Sequence, residues 1–102
     1  MDLNELKTNH SIIKDIWELA AEFHLELNDE NALDVFKVKI WKNSNGYYYP
    51  SPSHYLQVEG AYNEYRPTYS EHDSIEKAFE EVFYGLIGAG KKGNIYHENK
   101  YF

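Results

Sequence analysis

Seven of the ten tyrosines lie between Tyr47 and Tyr69, directly after the lysines Lys37, Lys39 and Lys42. A tyrosine ring offers a large contact area, but its hydroxyl needs a hydrogen-bond partner wherever it is buried. So many of them in one strand-like segment imply a sheet with more aromatic surface than its own core can absorb.

The residues around this segment set the expected strands. Phe36, Val38 and Ile40 alternate with Lys37, Lys39 and Trp41, the period-two pattern of a half-buried strand. Asn45-Gly46 signals a hairpin turn, with Tyr47-Tyr48-Tyr49 as the return strand. Pro50 and Pro52 mark a break that a central strand does not tolerate. From His54 to Glu59, Leu56 and Val58 fall on one side, with Tyr55, Gln57 and Glu59 on the other. Tyr62 to Arg66 reads as a further short strand, halted by Pro67.

Helical spacing dominates on either side. Over residues 11–27, Ile12, Ile16, Leu19, Phe23 and Leu27 recur at intervals of three and four, broadened by Ile13, Trp17 and Ala20. Asp15, Glu18, Glu22 and Glu26 keep the same interval on the opposite side, so an amphipathic helix is predicted. Asp2 to Glu5 resembles a capping box, which allows a first turn from Leu3. Residues 74–87 predict a second helix, with Asp73 as N-cap and Glu76 three residues on. Its apolar face runs through Ile75, Ala78, Phe79, Val82, Phe83, Leu86 and Ile87. Gly88 or Gly90 ends it, and Lys91 and Lys92 suit the C-terminal dipole. The tail from residue 91 to 102 has no clear period; it reads as an edge strand or a segment docked on the body.

The predicted fold is therefore α+β, one domain over residues 1–102. It is a two-layer sandwich, with an antiparallel sheet of three to four strands flanked by an N-terminal and a C-terminal helix. The helices would cover Phe36, Val38, Ile40, Leu56 and Val58. The opposite face would show Lys37, Lys39, Trp41, Tyr55 and Gln57, with further tyrosines beside them.

Net charge is −7, unevenly spread. Residues 1–35 carry nine acids and two bases, residues 36–58 three lysines and no acid, and residues 59–84 seven acids and two bases. This sign opposes general duplex-DNA binding, which rests on neutralising phosphates. Cysteine is absent, which removes disulfides, thiolate nucleophiles and Cys-containing zinc sites. The first residues lack the basic start and apolar run of a signal peptide, and no apolar run is long enough to cross a bilayer. A cytoplasmic protein without a membrane partner is expected.

No motif for catalysis stands out. Gly85 to Lys91 matches the spacing of a phosphate-binding loop, but it ends a helix and Lys92 follows where Ser or Thr is required. The five histidines are scattered and show no metal-ligand spacing, and the serines sit in turn-like contexts. No cofactor, metal or catalytic residue is predicted. The acids Asp15, Glu18, Glu22 and Glu26 read as a solvated face or a surface for a basic protein. The residues Lys37, Lys39, Trp41, Tyr47, Tyr49, Tyr55, Tyr65 and Arg66 form the candidate binding face. Their types suit a protein interface, and also the stacking of single-stranded bases with neutralised phosphates. The expectation is a non-catalytic module that binds a protein in an inhibitory or regulatory way. Single-stranded nucleic acid or a nucleotide is the alternative ligand, a small enzyme with no recognisable motif is the third reading, and a second copy of the chain is an alternative cover for the face.

Overall fold

The computed structural model describes residues 2–64 and 70–102, apart from the Leu3 side chain. The chain runs α1 (Leu3–Asn9), β1 (Trp17–Glu26), β2 (Val35–Asn43), β3 (Tyr48–Pro52), β4 (His54–Gln57), α2 (Ile75–Val82), a π-helical turn (Phe83–Ile87) and β5 (Ile95–Glu98). β1, β2 and β3 form one antiparallel sheet in that order, and β4 pairs with β5 in a second, two-stranded sheet. The small α+β class stands.

The element order differs from the prediction at residues 11–27. Only α1, capped by the Asp2 carboxylate on the Asn4 and Glu5 amides, is helical near the N-terminus. Trp17 to Glu26 is a ten-residue strand. The sequence there satisfies both periods. Glu18, Glu22 and Glu26 recur every four residues, which is one turn of a helix and also two pleats of a strand. Tertiary context decides, since β2 needs a ladder partner for its backbone. A turn at Asn28 closes this hairpin: the Asn28 side chain accepts the Glu30 amide at 2.9 Å, and the Leu27 amide donates to the Asp34 carbonyl at 2.8 Å.

The core lies on one face of β2. Phe36, Val38 and Ile40 are fully buried there, with Leu56 from β4 and Ala78, Val82, Leu86 and Ile87 from the α2 side. Ala21, Phe23 and Leu25 of β1 sit opposite Ile40, Val38 and Phe36 and extend this face. Val58, expected beside Leu56, lies past the end of β4 and is 48% exposed. One helix, not two, covers the core.

The β2–β3 hairpin turns at Asn45-Gly46, as its sequence requires. The Gly46 amide donates to the Asn43 carbonyl at 3.1 Å, and Gly46 holds a φ of +87°, which glycine adopts without a Cβ penalty. The buried Asn43 side chain accepts the Asn45 and Tyr47 amides. Ser53 then bends the strand from the first sheet into the second. Its amide donates to the Lys37 carbonyl and its hydroxyl accepts the Lys37 amide.

α2 starts one residue later than expected. Ser74, not Asp73, caps the Lys77 amide, while Asp73 pairs with the Lys77 ammonium at 3.0 Å. Beyond Val82 the helix widens into the π-helical turn, closed by the Gly88 amide on the Phe83 carbonyl. The carbonyls left at its end are taken by the Tyr96 hydroxyl (Leu86, 2.7 Å) and the Asn31 amide (Ile87, 3.0 Å). Gly90 passes so close to both donors that a Cβ there would overlap the Tyr96 oxygen. The tail supplies β5, as one of its two expected forms. No helix is long and apolar enough to cross a membrane among the described residues.

Candidate binding face

β1 carries one extra residue, Ala20, between the pairs Leu19–Trp41 and Ala21–Ile40. Residues directly opposite in an antiparallel ladder share a face. The bulge therefore splits the apolar alternation of β1. Ala21, Phe23 and Leu25 turn inward to the core. Leu19 and Trp17 turn outward, to the face of Trp41.

On that outer face Trp41 lies opposite Tyr49 of β3. The Trp17 ring reaches Tyr49 with centroids 4.9 Å apart and planes at 73°, an edge-on pair. Trp17, Trp41 and Tyr49 together line a shallow depression of about 340 Å³. Trp17 and Leu19 each stay 46% exposed, and Tyr47, at the turn, 42%.

The other half of the outer face is partly closed by the chain itself, over Lys39. Asn99, almost buried, anchors the segment after β5: its amide and side chain donate to the carbonyls of Ser53 and Pro52, both at 2.8 Å. This brings Phe102 over Lys39, whose ammonium lies 4.2 Å from the ring centroid and donates to the Phe102 carbonyl at 2.6 Å. A cavity of about 310 Å³ remains beside it, bounded by Val35, Lys37, Ser53, His54, Glu98 and Phe102. The tail thus caps Lys39, leaves Lys37 exposed, and leaves the tryptophan half open.

The structure brings Trp41 and Tyr49 together, with Tyr47 beside them at the turn, and separates the other expected site residues among the described residues from them. Lys37 and Lys39 belong to the half that Phe102 partly closes. Lys42 points to the inner side, above the Tyr48 ring at 5.9 Å. Tyr55 is in the second sheet, opposite His97. Tyr65 and Arg66, and the short strand expected there, lie outside the described residues.

The acidic stripe is not a stripe. With β1 a strand, Glu22 and Glu26 project to the outer face, opposite Lys39 and Val35, and Glu18 projects inward, opposite Lys42. Asp15 precedes the strand and holds the hairpin tip. One carboxylate oxygen accepts the Ser44 hydroxyl at 2.9 Å and the Ile16 amide at 2.8 Å. Those bonds, the Ser44 hydroxyl first, hold the Asp15 carboxyl below its ordinary pKa.

Two carboxylates act on the Tyr49 hydroxyl at the depression. Partial burial, and next the Glu71 carboxylate hydrogen-bonded to it, hold the Tyr49 hydroxyl above its ordinary pKa, and the Asp15 charge acts in the same direction. Trp17, Leu19 and Glu71 were not legible as site residues. Trp17 and Leu19 were hidden in an apparent helix stripe; their alternation with Ala21, Phe23 and Leu25 signals a strand but would place them on the core face, and only the bulge turns them outward. Nothing local marks Glu71.

Ser53 and His54 do meet in space. The Ser53 hydroxyl lies 2.7 Å from His54 Nδ1, while the same oxygen accepts the Lys37 amide. Burial of the imidazole lowers the His54 pKa and favours its neutral form. The pair braces the bend between the sheets, with the serine only 8% exposed. Among the described residues, no three His, Asp or Glu side chains come together as metal ligands. Comparisons of the chain with family models, with curated proteins and with solved structures found no match.

Proposed function

We propose that the chain is a non-catalytic binding module that recognises a protein partner through the Trp17–Leu19–Trp41–Tyr49 corner of its outer sheet face. The observation that carries this reading is the bulge at Ala20. It turns two large apolar side chains away from an available core face and leaves them beside two further rings. Clustered exposed apolar surface of this kind marks interaction sites, and Trp and Tyr supply most of the energy at such interfaces. An inhibitory or regulatory role toward a basic partner suits the net charge of −7. The cysteine-free chain suits a reducing compartment, so the cytoplasm is the proposed setting.

Single-stranded nucleic acid is the weaker reading. Its rings are present, but Lys39 is engaged with Phe102, and the charged groups that act on Tyr49 among the described residues are the carboxylates of Glu71 and Asp15.

The test is partner capture from the native host, followed by reconstitution with the purified partner. Trp17→Ala and Trp41→Ala should each weaken the reconstituted complex at least tenfold, the loss of about 1.4 kcal/mol. A control change at exposed Lys92 should leave it intact. Unchanged affinity in both tryptophan variants overturns the proposal.

A further inference from the structure

We infer that the Trp17–Trp41–Tyr49 corner accepts a cationic side chain, a guanidinium or an ammonium, from a basic partner protein. This deepens the reading above and rests on it. The depression is lined by three ring residues, and aromatic faces carry negative potential that attracts an organic cation. Two of its walls, Trp17 and Tyr49, stand at 73° to each other, so a flat guanidinium can lie on one ring while the other closes its flank.

The surrounding charges point the same way. Glu71 hydrogen-bonds the Tyr49 hydroxyl, and Asp15 acts on the same ring. The neighbouring lysines do not fill the place. Lys39 is held by Phe102, Lys42 lies over Tyr48 on the inner side, and Lys7 sits 3.9 Å from the Asp15 carboxylate. A purely apolar occupant would find the rings but would gain nothing from the nearby carboxylate charge or from a chain of net charge −7. Charge complementarity therefore selects a cation over a leucine or a phenylalanine.

The chain contains two tryptophans, and both belong to this corner, so their fluorescence reports on it directly. The probe is a capped hexa-arginine peptide, with the neutral, nearly isosteric hexa-citrulline peptide as its match. Hexa-arginine should change the emission saturably, and hexa-citrulline should bind at least about fivefold more weakly. Tyr49→Leu should lose a similar factor and Tyr49→Phe, which keeps the ring, should not. Trp17→Phe, read through Trp41, should also retain binding, which guards against a folding defect in the leucine variant. Equal binding of both peptides, or undiminished hexa-arginine binding by a folded Tyr49→Leu variant, overturns the inference. If capture of the native partner nevertheless needs Trp17 and Trp41, only the cation assignment falls. If capture ignores those residues, the parent reading falls with it.

Discussion

Gly90 is the position where the packing can be tested most sharply. A Cβ built there would stand 1.6 Å from the Tyr96 hydroxyl oxygen, 2.6 Å from Tyr96 Cζ and 2.8 Å from the Asn31 side-chain nitrogen. Those two side chains satisfy the Leu86 and Ile87 carbonyls at the end of the helical segment. Tyr96 cannot swing aside freely, because its ring packs edge-on against Phe36 and His54 at 5.9 and 6.1 Å. Gly90→Ala must therefore break the Tyr96 bond and disturb that of Asn31. A part-buried carbonyl left without its donor costs roughly 1–3 kcal/mol, so a total of about 2–4 kcal/mol is expected. In urea unfolding this should lower the midpoint by about 1–2 M at an unchanged slope. Tyr96→Phe alone should cost about 1 kcal/mol. In that background Gly90→Ala should cost about 1–2 kcal/mol less than in the wild type, because the closest clashing atom is gone. Strict additivity, or a Gly90→Ala cost below about 1 kcal/mol, would refute the packing described for this junction.

Three further outcomes are expected. Ser44→Ala removes the largest influence on Asp15, so the Asp15 pKa should rise toward its ordinary value of 3.8 in an NMR titration; an unmoved value contradicts the hairpin-tip bond. His54 has a pKa lowered by burial from 6.5, so its neutral form supports the fold fully above that pH, and the support is lost as pH falls through the lowered value. Wild type should lose stability relative to His54→Gln between pH 7.5 and 5, and a flat or reversed difference counts against a buried neutral ring. Deleting Ala20 removes the bulge but leaves Leu19 directly before Ala21, so Leu19 and Trp17 keep the outer face and partner binding should stay within about threefold of wild type while β1–β2 pairing, followed by amide exchange, persists; loss of binding by a folded deletion variant would contradict the assignment of the site to these side chains.

Local signals were strongest where one period fitted and others did not. Phe36, Val38 and Ile40 announced β2, Asn45-Gly46 announced its turn, and the 74–87 stripe announced α2, because each pattern admits a single reading. Residues 11–27 admitted two, and only the backbone demand of β2 for a partner resolves them. The candidate site was half legible for the same reason. Trp41 and Tyr49 alternate on predicted strands and do meet. Trp17 and Leu19 join them through one inserted residue, and a bulge at Ala20 has no sequence signature of its own. The partial closure of the lysine half depends on Phe102 meeting Lys39 across 63 positions, a contact no local pattern announces.

Collisional quenching of tryptophan emission by acrylamide, on a sample shown to be monomeric by light scattering, tests the open aromatic corner most directly. Both tryptophans lie on the outer face, Trp17 with nearly half its surface in solvent. The native protein should be readily quenched, and Trp17→Phe should leave a weaker, less accessible signal from half-buried Trp41. A monomer whose emission resists the quencher, like that of tryptophans packed in a core, would contradict the exposed corner on which the proposed function stands.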